Sequence, residues 1–310
     1  MGKGARKKGP KKDSTRKPKV RDVFVGQPFE GLAAEPELIA LREFVPSATA
    51  RLSLKDSPDR TVTLATVLPM AAAGFVRTDG EIFVGMQVQT RSSDISRDLG
   101  RSLRWALEAK EGDVLSVPDT TSPPEDEEAA RSASVEGGGG RRVGERLQDL
   151  LVPEAELDIT LHKDFSWWLP EDADATGDIA MSLERANAAI MPTERIGPAA
   201  YWVEAGDKAH LRWVWPEQEN VLLQALARLS AAGEIGLGEG SRYAGSFRAH
   251  GLLVPVWDLD PEAHAREWEE PAGRLGERLT AAVKSLDSEP LNATERRARD
   301  GLVGRQLTLR

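Results

Sequence analysis

From Pro118 to Arg142 the chain reads PDTTSPPEDEEAARSASVEGGGGRR, with almost nothing apolar in it. A stretch of Pro, Ser, Glu and Gly cannot bury enough surface to offset the entropy of ordering it. Any core must therefore come from what lies before and after it. The surrounding boundary is drawn at residues 111–145, as a flexible linker or insertion. Its four consecutive glycines are not a phosphate loop, because no strand feeds them and no Gly-Lys-Ser/Thr follows.

The chain starts with a second stretch of this kind. Residues 1–21 hold ten Lys or Arg against one Asp, a charge of +9, which leaves −18 for the rest of a chain whose net charge is −9. A disordered basic arm over 1–27 is expected on an acidic body. Lys7, Lys8, Lys11, Lys12, Arg16 and Lys17 would carry any nucleic-acid contact, since lysines near phosphates release counterions. A solubilising tail, or an arm folded back on its own body, explains the same composition. No apolar region follows the arm, so no Sec signal peptide is expected, and no run approaches the ~20 apolar residues that span a bilayer. The reading is cytoplasmic.

The 310 residues include no Cys and four His, at 162, 210, 250 and 264. Disulfides, thiol nucleophiles and thiolate metal sites are excluded, and no His pair has zinc-ligand spacing. No metal and no cofactor is expected.

Between the polar stretches the pattern alternates strands and helices. Leu38, Leu41 and Val45 make a short helical stripe ending near Pro46. ARLSLKD and RTVTLATVL read as strands, the second buried on both faces. GFVRTDGEIFVGMQV reads as a hairpin turning at Asp79-Gly80. SSDISRDLGRSLRWALEAK reads as an amphipathic helix capped by Ser93. After the linker, LDITLHKDFSWWLP reads strand–turn–strand and ATGDIAMSLERANAAI helix. AAYWVEAGDKAHLRWVWP reads as a hairpin. EQENVLLQALARLSAAG reads as a helix with Leu222, Leu226 and Leu229 on one face and Gly233 as its stop. A last hairpin, GSFRAHGLLVPVWDL, leads through Asp260 (as N-cap) and Pro261 into a helix interrupted at Pro271. Asn292 with Glu295 makes a capping box rather than a glycosylation site.

Laid over each other at a constant shift of 171, the hairpins from Gly74 and Gly245 match at glycine, arginine and glycine: Gly74/Gly245, Arg77/Arg248 and Gly80/Gly251. A helix follows both. The shift marks a candidate internal repeat, although three identities in a short window also arise by chance. In this alignment His250 stands where Asp79 stands, as a turn residue. The functional alternative is a groove lined by Arg77, Arg248 and His250, for which no partner nucleophile is in sight.

Other constellations are weaker. GEIGLGEGSR follows a helix and precedes a strand, the reverse of a dinucleotide fingerprint, and Glu234 and Glu239 would repel phosphate. The neighbours Trp167 and Trp168 should face opposite sides of a strand. Trp213 and Trp215 should share one face, as core packing or as the wall of a ligand-stacking groove. No carboxylate spacing singles out an acid–base pair, and no Gly-x-Ser-x-Gly occurs.

PFEGLAAEPELIALREFVPSATARLSL, SLERANAAIMPT, HLRWVWP, LGEGSRYAGSFRAHGLLVPVWDL and ERRARDGLVGRQLTL together resemble an actinobacterial family defined only as a domain of unknown function. The resemblance runs from about Pro28 to the C-terminus, apart from the linker. Some relatives carry a SecA-like label because a Cys-rich, zinc-binding motif of the SecA C-terminal type precedes the body. A chain without Cys cannot take over that label or the zinc. The family implies no activity for any residue. Hairpins ending in VPVWD before a helix also resemble the SseB-type domain.

The expected fold is α+β: antiparallel hairpins each followed by a helix, in two candidate related halves at 28–110 and 146–290, with a C-terminal helix and tail at 291–310. The expected function is that of a non-catalytic binding or adaptor protein, its contact surface an aromatic groove in the second half. An RNA- or ribosome-associated protein acting through the arm, and an enzyme of unrecognised type, are the alternatives.

Overall fold

Leu252–Leu259 has almost every side chain buried, and its apolar residues point both ways. Leu252, Val254 and Val256 join one hydrophobic cluster, while Leu253, Trp257 and Leu259 join another. A strand of this kind requires cover on both faces of its sheet. The computed structural model, which describes residues 24–117, 146–170, 173 and 175–304, supplies that cover from two different parts of the chain.

The strand is β11 of a five-stranded antiparallel sheet: β7 (Thr193–Gly197), β8 (Ala200–Ala205), β9 (Lys208–Trp213), β10 (Ser241–Ala249) and β11, in the order β10-β11-β9-β8-β7. Three helices close one face: α5 (Glu219–Ala232), α6 (Glu269–Ser285) and α7 (Ala293–Val303). Leu222, Leu226 and Leu229 of α5 are buried there, as their spacing predicts, and Gly233 ends α5 in the left-handed conformation at φ 75°. Asn292 caps α7 in a complete box with Glu295.

α1 (Glu35–Glu43) closes the other face. Its Leu38, Ile39, Ala40 and Leu41 are all buried, so a nine-residue helix sits inside the protein rather than on it. The cluster around it joins Tyr201, Val203 and Val254 to Val62, Leu64 and Val84 of a second sheet. That sheet has six short strands: β1 (Ala48–Arg51), β2 (Val62–Ala65), β3 (Gly74–Val76), β4 (Ile82–Gly85), β5 (Val114–Leu115) and β6 (Ile159–Leu161), in the order β5-β3-β4-β2-β1-β6. β2 and β4 run parallel and the other neighbours antiparallel. α2 (Ile95–Glu108) buries Leu99, Leu103 and Ala106 against it. Gly74 has no side chain for a reason: a Cβ there would stand 2.7 Å from the Trp105 ring.

The fold is therefore mixed α+β with two sheets rich in antiparallel pairs. Of the residues assigned to the linker, 118–145 lie outside the described set, while Val114–Leu115 pair with β3 as β5. From residue 146 the chain returns to the first sheet: α3 (Leu147–Leu150) packs on α2, and β6 pairs with β1. α4 (Gly177–Asn187) then leads into β7.

The two overlaid hairpins share a neighbour order, β1-β2-β4-β3 against β8-β9-β11-β10, but not a direction: β2 and β4 are parallel, β9 and β11 antiparallel. They also close differently. Arg77 and Glu81 flank a three-residue loop, whereas His250 and Gly251 form a two-residue turn with φ 47° and 90°, the double positive φ of a type I′ turn.

Several local expectations are corrected. Ser166–Trp168 is a 3₁₀ turn, not a strand, so Trp167 and Trp168 do not alternate. Both reach back to the first sheet's side, Trp167 Nε1 donating to Ser47 Oγ and Trp168 Nε1 to the Val67 carbonyl, each at 3.0 Å. Asp94, not Ser93, caps α2, because its carboxylate accepts from the Arg97 amide. Asp260 turns the chain without capping a helix; His264 caps a short 3₁₀ turn that runs into α6. Pro271 lies in the first turn of α6, where its missing N–H is not needed, and so interrupts nothing.

Candidate functional site

The structure does not bring Arg77, Arg248 and His250 together. Arg77 is on the first sheet and is fully engaged. Nε bonds to Asp79, Nη2 pairs with Glu81 at 2.7 Å, and Nη1 donates to the carbonyls of Trp167 at 2.8 Å and Leu169 at 3.2 Å. It lies 5.3 Å over the Phe83 ring. It staples the 3₁₀ turn to the β3–β4 hairpin. Arg77→Lys leaves one ammonium where a fork of donors was needed. It is expected to cost about 1–3 kcal/mol in urea unfolding and to speed proteolytic cutting near Leu169.

Arg248 and His250 turn toward different layers. Arg248 pairs with Glu219 at the start of α5 at 2.5 Å, and His250 Nε2 meets Glu43 at the end of α1 at 2.6 Å. The hydrogen bond from His250 is the main cause that holds the Glu43 carboxyl below its ordinary value of 4.5. A depressed carboxylate stabilises the fold above its unfolded pKa, and that stability is lost as pH falls through the folded one. His250→Asn keeps a residue suited to the left-handed turn but shortens the reach. The part of the acid unfolding curve that lies below pH 4.5 should flatten in this variant, as read by circular dichroism.

Trp213 and Trp215 do come together. Their ring centroids are 5.0 Å apart, both are buried, and both wall a cleft of about 320 Å³. The cleft is built by convergence. β9 ends at Trp213 and continues through Val214, Trp215 and Pro216. β7 adds Arg195, the β7–β8 turn Pro198 and Ala199, the start of α1 and the residues before it Ala33, Ala34, Pro36 and Glu37, and the segment before β6 Glu156 and Leu157. Trp213 is anchored by Nε1 donating to the Pro198 carbonyl at 3.0 Å.

Glu37 organises the polar side of the cleft. Its Oε1 accepts from Arg195 Nε at 3.1 Å and Nη2 at 2.5 Å and from the Ala199 amide at 2.8 Å; its Oε2 accepts from the Tyr201 hydroxyl at 2.7 Å. Burial opposes the charge of Arg195, but the Glu37 carboxylate outweighs it and raises the guanidinium pKa above its ordinary value. Burial first, and then the Glu37 charge, push the Tyr201 phenol far above its ordinary range. Tyr201 is therefore a fixed hydroxyl donor and cannot act as a base near neutrality. Trp215 Nε1 is different: it is buried and has no hydrogen-bond partner. Trp202 and Trp268 also carry unpartnered indoles, but neither lines this cleft.

A family model described as a family of unknown function (DUF5926) matches residues 28–310. The chain belongs to this family. No curated protein and no solved structure matches it. The DUF5926 match begins where the described body begins to be buried, at Pro28, and leaves out the basic arm. Lys7, Lys8, Lys11, Lys12, Arg16 and Lys17 lie outside the described residues. Among the described residues no cluster of His, Cys, Asp and Glu could hold a metal, and no helix is long and apolar enough to cross a membrane.

The residues missing from the sequence reading of this site are Glu37, Arg195 and Tyr201. Glu37 is separated from the other two by about 160 positions. No local motif marks such a triad, and Glu37 is one of four charged residues in its nine-residue helix.

Proposed function

We propose that this DUF5926 member is a non-catalytic binding or adaptor protein of the actinobacterial cytoplasm, and that the tryptophan cleft is its contact surface. The observation that carries the reading is a largely apolar cleft of about 320 Å³ walled by Trp213, Trp215 and three prolines, with the Glu37–Arg195 pair on its polar side. The cleft has the composition of a recognition site, with aromatic and proline walls and few polar groups that fix orientation. The groups around it favour holding over chemistry: Glu37 and Arg195 neutralise each other, and Tyr201 stays protonated.

The test is a thermal-shift screen of the full chain against short peptides and small carbonyl compounds, run beside Ala33→Trp. Ala33 is exposed at the rim, so a tryptophan there blocks the mouth without entering the core. A ligand that raises the melting temperature of the wild type and not of Ala33→Trp supports the reading. Turnover of any compound by the pure protein, or identical responses from both chains, sinks it.

The basic arm is assigned the role of tether. An RNA-associated function through it rests on its +9 charge alone. Binding that disappears on deleting residues 1–21, and that weakens steeply with salt, would favour that alternative.

A further inference from the structure

β9 reads Lys-Ala-His-Leu-Arg-Trp, and its two faces differ in character. Ala209, Leu211 and Trp213 are buried against the helical layer. Lys208, His210 and Arg212 share the other face, about 7 Å apart in succession. The ladder gives them neighbours. Tyr201 and Val256 stand opposite Arg212, Val203 and Asp258 opposite His210, and Ala205 opposite Lys208. Arg242 of β10 stands opposite Asp258. With His210 neutral, Lys208, Arg212 and Arg242 outweigh Asp258, the single carboxylate that the five strands place on this face. Glu37 and Glu43 reach the same face from α1, but Glu37 answers Arg195 and Tyr201, and Glu43 answers His250. On a body that is acidic outside the arm, the sign of charge is locally reversed.

Arg212 is the member that calls for a ligand. It is half-buried, and its guanidinium lies 5.9 Å from the ring of Phe44, where α1 ends. Among the described residues no acceptor meets it, whereas Arg42, Arg77, Arg195 and Arg228 all have one. A charge drawn out of water without a partner costs free energy that a counter-ion recovers. His210 stands beside it with Nδ1 3.2 Å from Asp258 Oδ1, while Arg242 Nη2 holds Asp258 Oδ2 at 2.6 Å. His210 Nε2 and Lys208 Nζ have no partner among the described residues. Burial, opposed by Asp258 and reinforced by Arg212, holds the His210 imidazole below its ordinary pKa. An anion at this place would reverse that.

We propose that Lys208, His210, Arg212 and Arg242 form a binding site for a phosphate dianion, free or as the end group of a monoester. Two positive charges in excess match a dianion. The long side chains of Lys208 and Arg212 flank the short imidazole and can close over an anion seated at His210. A phosphate end presents three bare oxygens to donors from three directions, whereas a carboxylate has two oxygens and one charge. The diester backbone of a nucleic acid carries one charge per group and needs an open surface, and the His210 side chain is only 17% exposed. The site does not depend on the tryptophan cleft.

The experiment titrates the full chain with sodium phosphate, glycerol 1-phosphate and sodium acetate at constant ionic strength and about pH 7.5, where the phosphates are dianions. The His210 ring resonances are the reporter, because phosphate taken by the basic arm leaves them in place. Phosphate is expected to shift them saturably, to raise the His210 titration midpoint, and to bind about 10-fold more tightly than acetate. Arg212→Gln and Lys208→Gln should each weaken phosphate about 3–10-fold. Lys208 is exposed, so its variant tests the site even if Arg212→Gln folds poorly. Asp258→Asn removes the one repelling carboxylate and should tighten phosphate about 3-fold, the opposite of what damage to the fold would do. Lys110→Gln with Lys284→Gln, two exposed lysines on other elements, should change little. Tighter glycerol phosphate than free phosphate assigns the site to the end group of a larger molecule; the reverse order assigns it to free phosphate. His210 resonances that stay still while calorimetry records binding place the phosphate on the arm and overturn the site. Acetate that binds as tightly as phosphate, or equal losses from Lys208→Gln and the control pair, also overturn it.

Discussion

Glu37→Ala is expected to lower the unfolding free energy by about 3 kcal/mol, one of the two largest losses anticipated for a single substitution in this protein. The carboxylate is nearly buried and answers four donors from three residues: two from Arg195, the Ala199 amide and the Tyr201 hydroxyl. Truncation leaves the amide and the phenol without acceptors in a dry place and a guanidinium without its counter-charge. Arg195 keeps some access to water at the rim, which holds the loss to the lower part of the range for a broken buried pair. Glu37→Gln is the informative partner, because it keeps an acceptor for Tyr201 or Ala199 while removing the charge. Urea titration should place it between the wild type and Glu37→Ala. If Glu37→Ala unfolded at the wild-type urea midpoint, the network would be ornamental, and the α1 contact with the five-stranded sheet would rest on apolar packing alone.

Trp257→Ala is expected to cost about 3–5 kcal/mol. The side chain is fully buried in the middle of β11 and its Nε1 donates to the Ile235 carbonyl at 2.8 Å. It packs edge-on against Tyr243 at 5.5 Å and lies 6.4 Å from Trp213. The cavity left by its removal lies behind the cleft wall, so the variant should lose ligand response along with stability. Calorimetric unfolding would show a melting temperature many degrees lower. Trp257→Phe separates the causes: it retains most of the apolar area and loses the hydrogen bond, so its cost should be clearly smaller. A Trp257→Ala protein as stable as the wild type would mean that the helical layer repacks freely over the sheet.

Much of the secondary structure was legible in the residues. The α5 leucine spacing, Gly233, the Asn292 box and the turns at Gly80 and Gly251 report on themselves, because helix periodicity, caps and positive φ are short-range properties. The errors were local too. Trp167 and Trp168 read as a strand from their apolar bulk, yet the Arg77 guanidinium holds the Trp167 and Leu169 carbonyls and the turn tightens to a 3₁₀ form. Pro271 read as a break because the beginning of α6 was placed too early.

For the candidate site the sequence named Trp213 and Trp215 but also three residues that do not converge. Arg77, Arg248 and His250 looked like a set because they match in a short alignment. The two hairpins carry them on different sheets and, for the second, toward different layers. Similar spacing does not produce proximity when strand direction differs between the two sheets.

What the residues alone determined were the parts whose free energy is settled within a few turns of chain: where helices and strands form, where the core-forming segments stop, and that thiol chemistry is unavailable. What only the tertiary structure decided was which segments share a layer. α1 lies inside the cluster that joins the sheets, residues 147–161 return to the first sheet, and Glu37 meets Arg195 and Tyr201 across about 160 positions. Those choices depend on burying both faces of β8 and β11 at once and on giving the Glu37 carboxylate its donors, and neither condition is visible from any window of sequence.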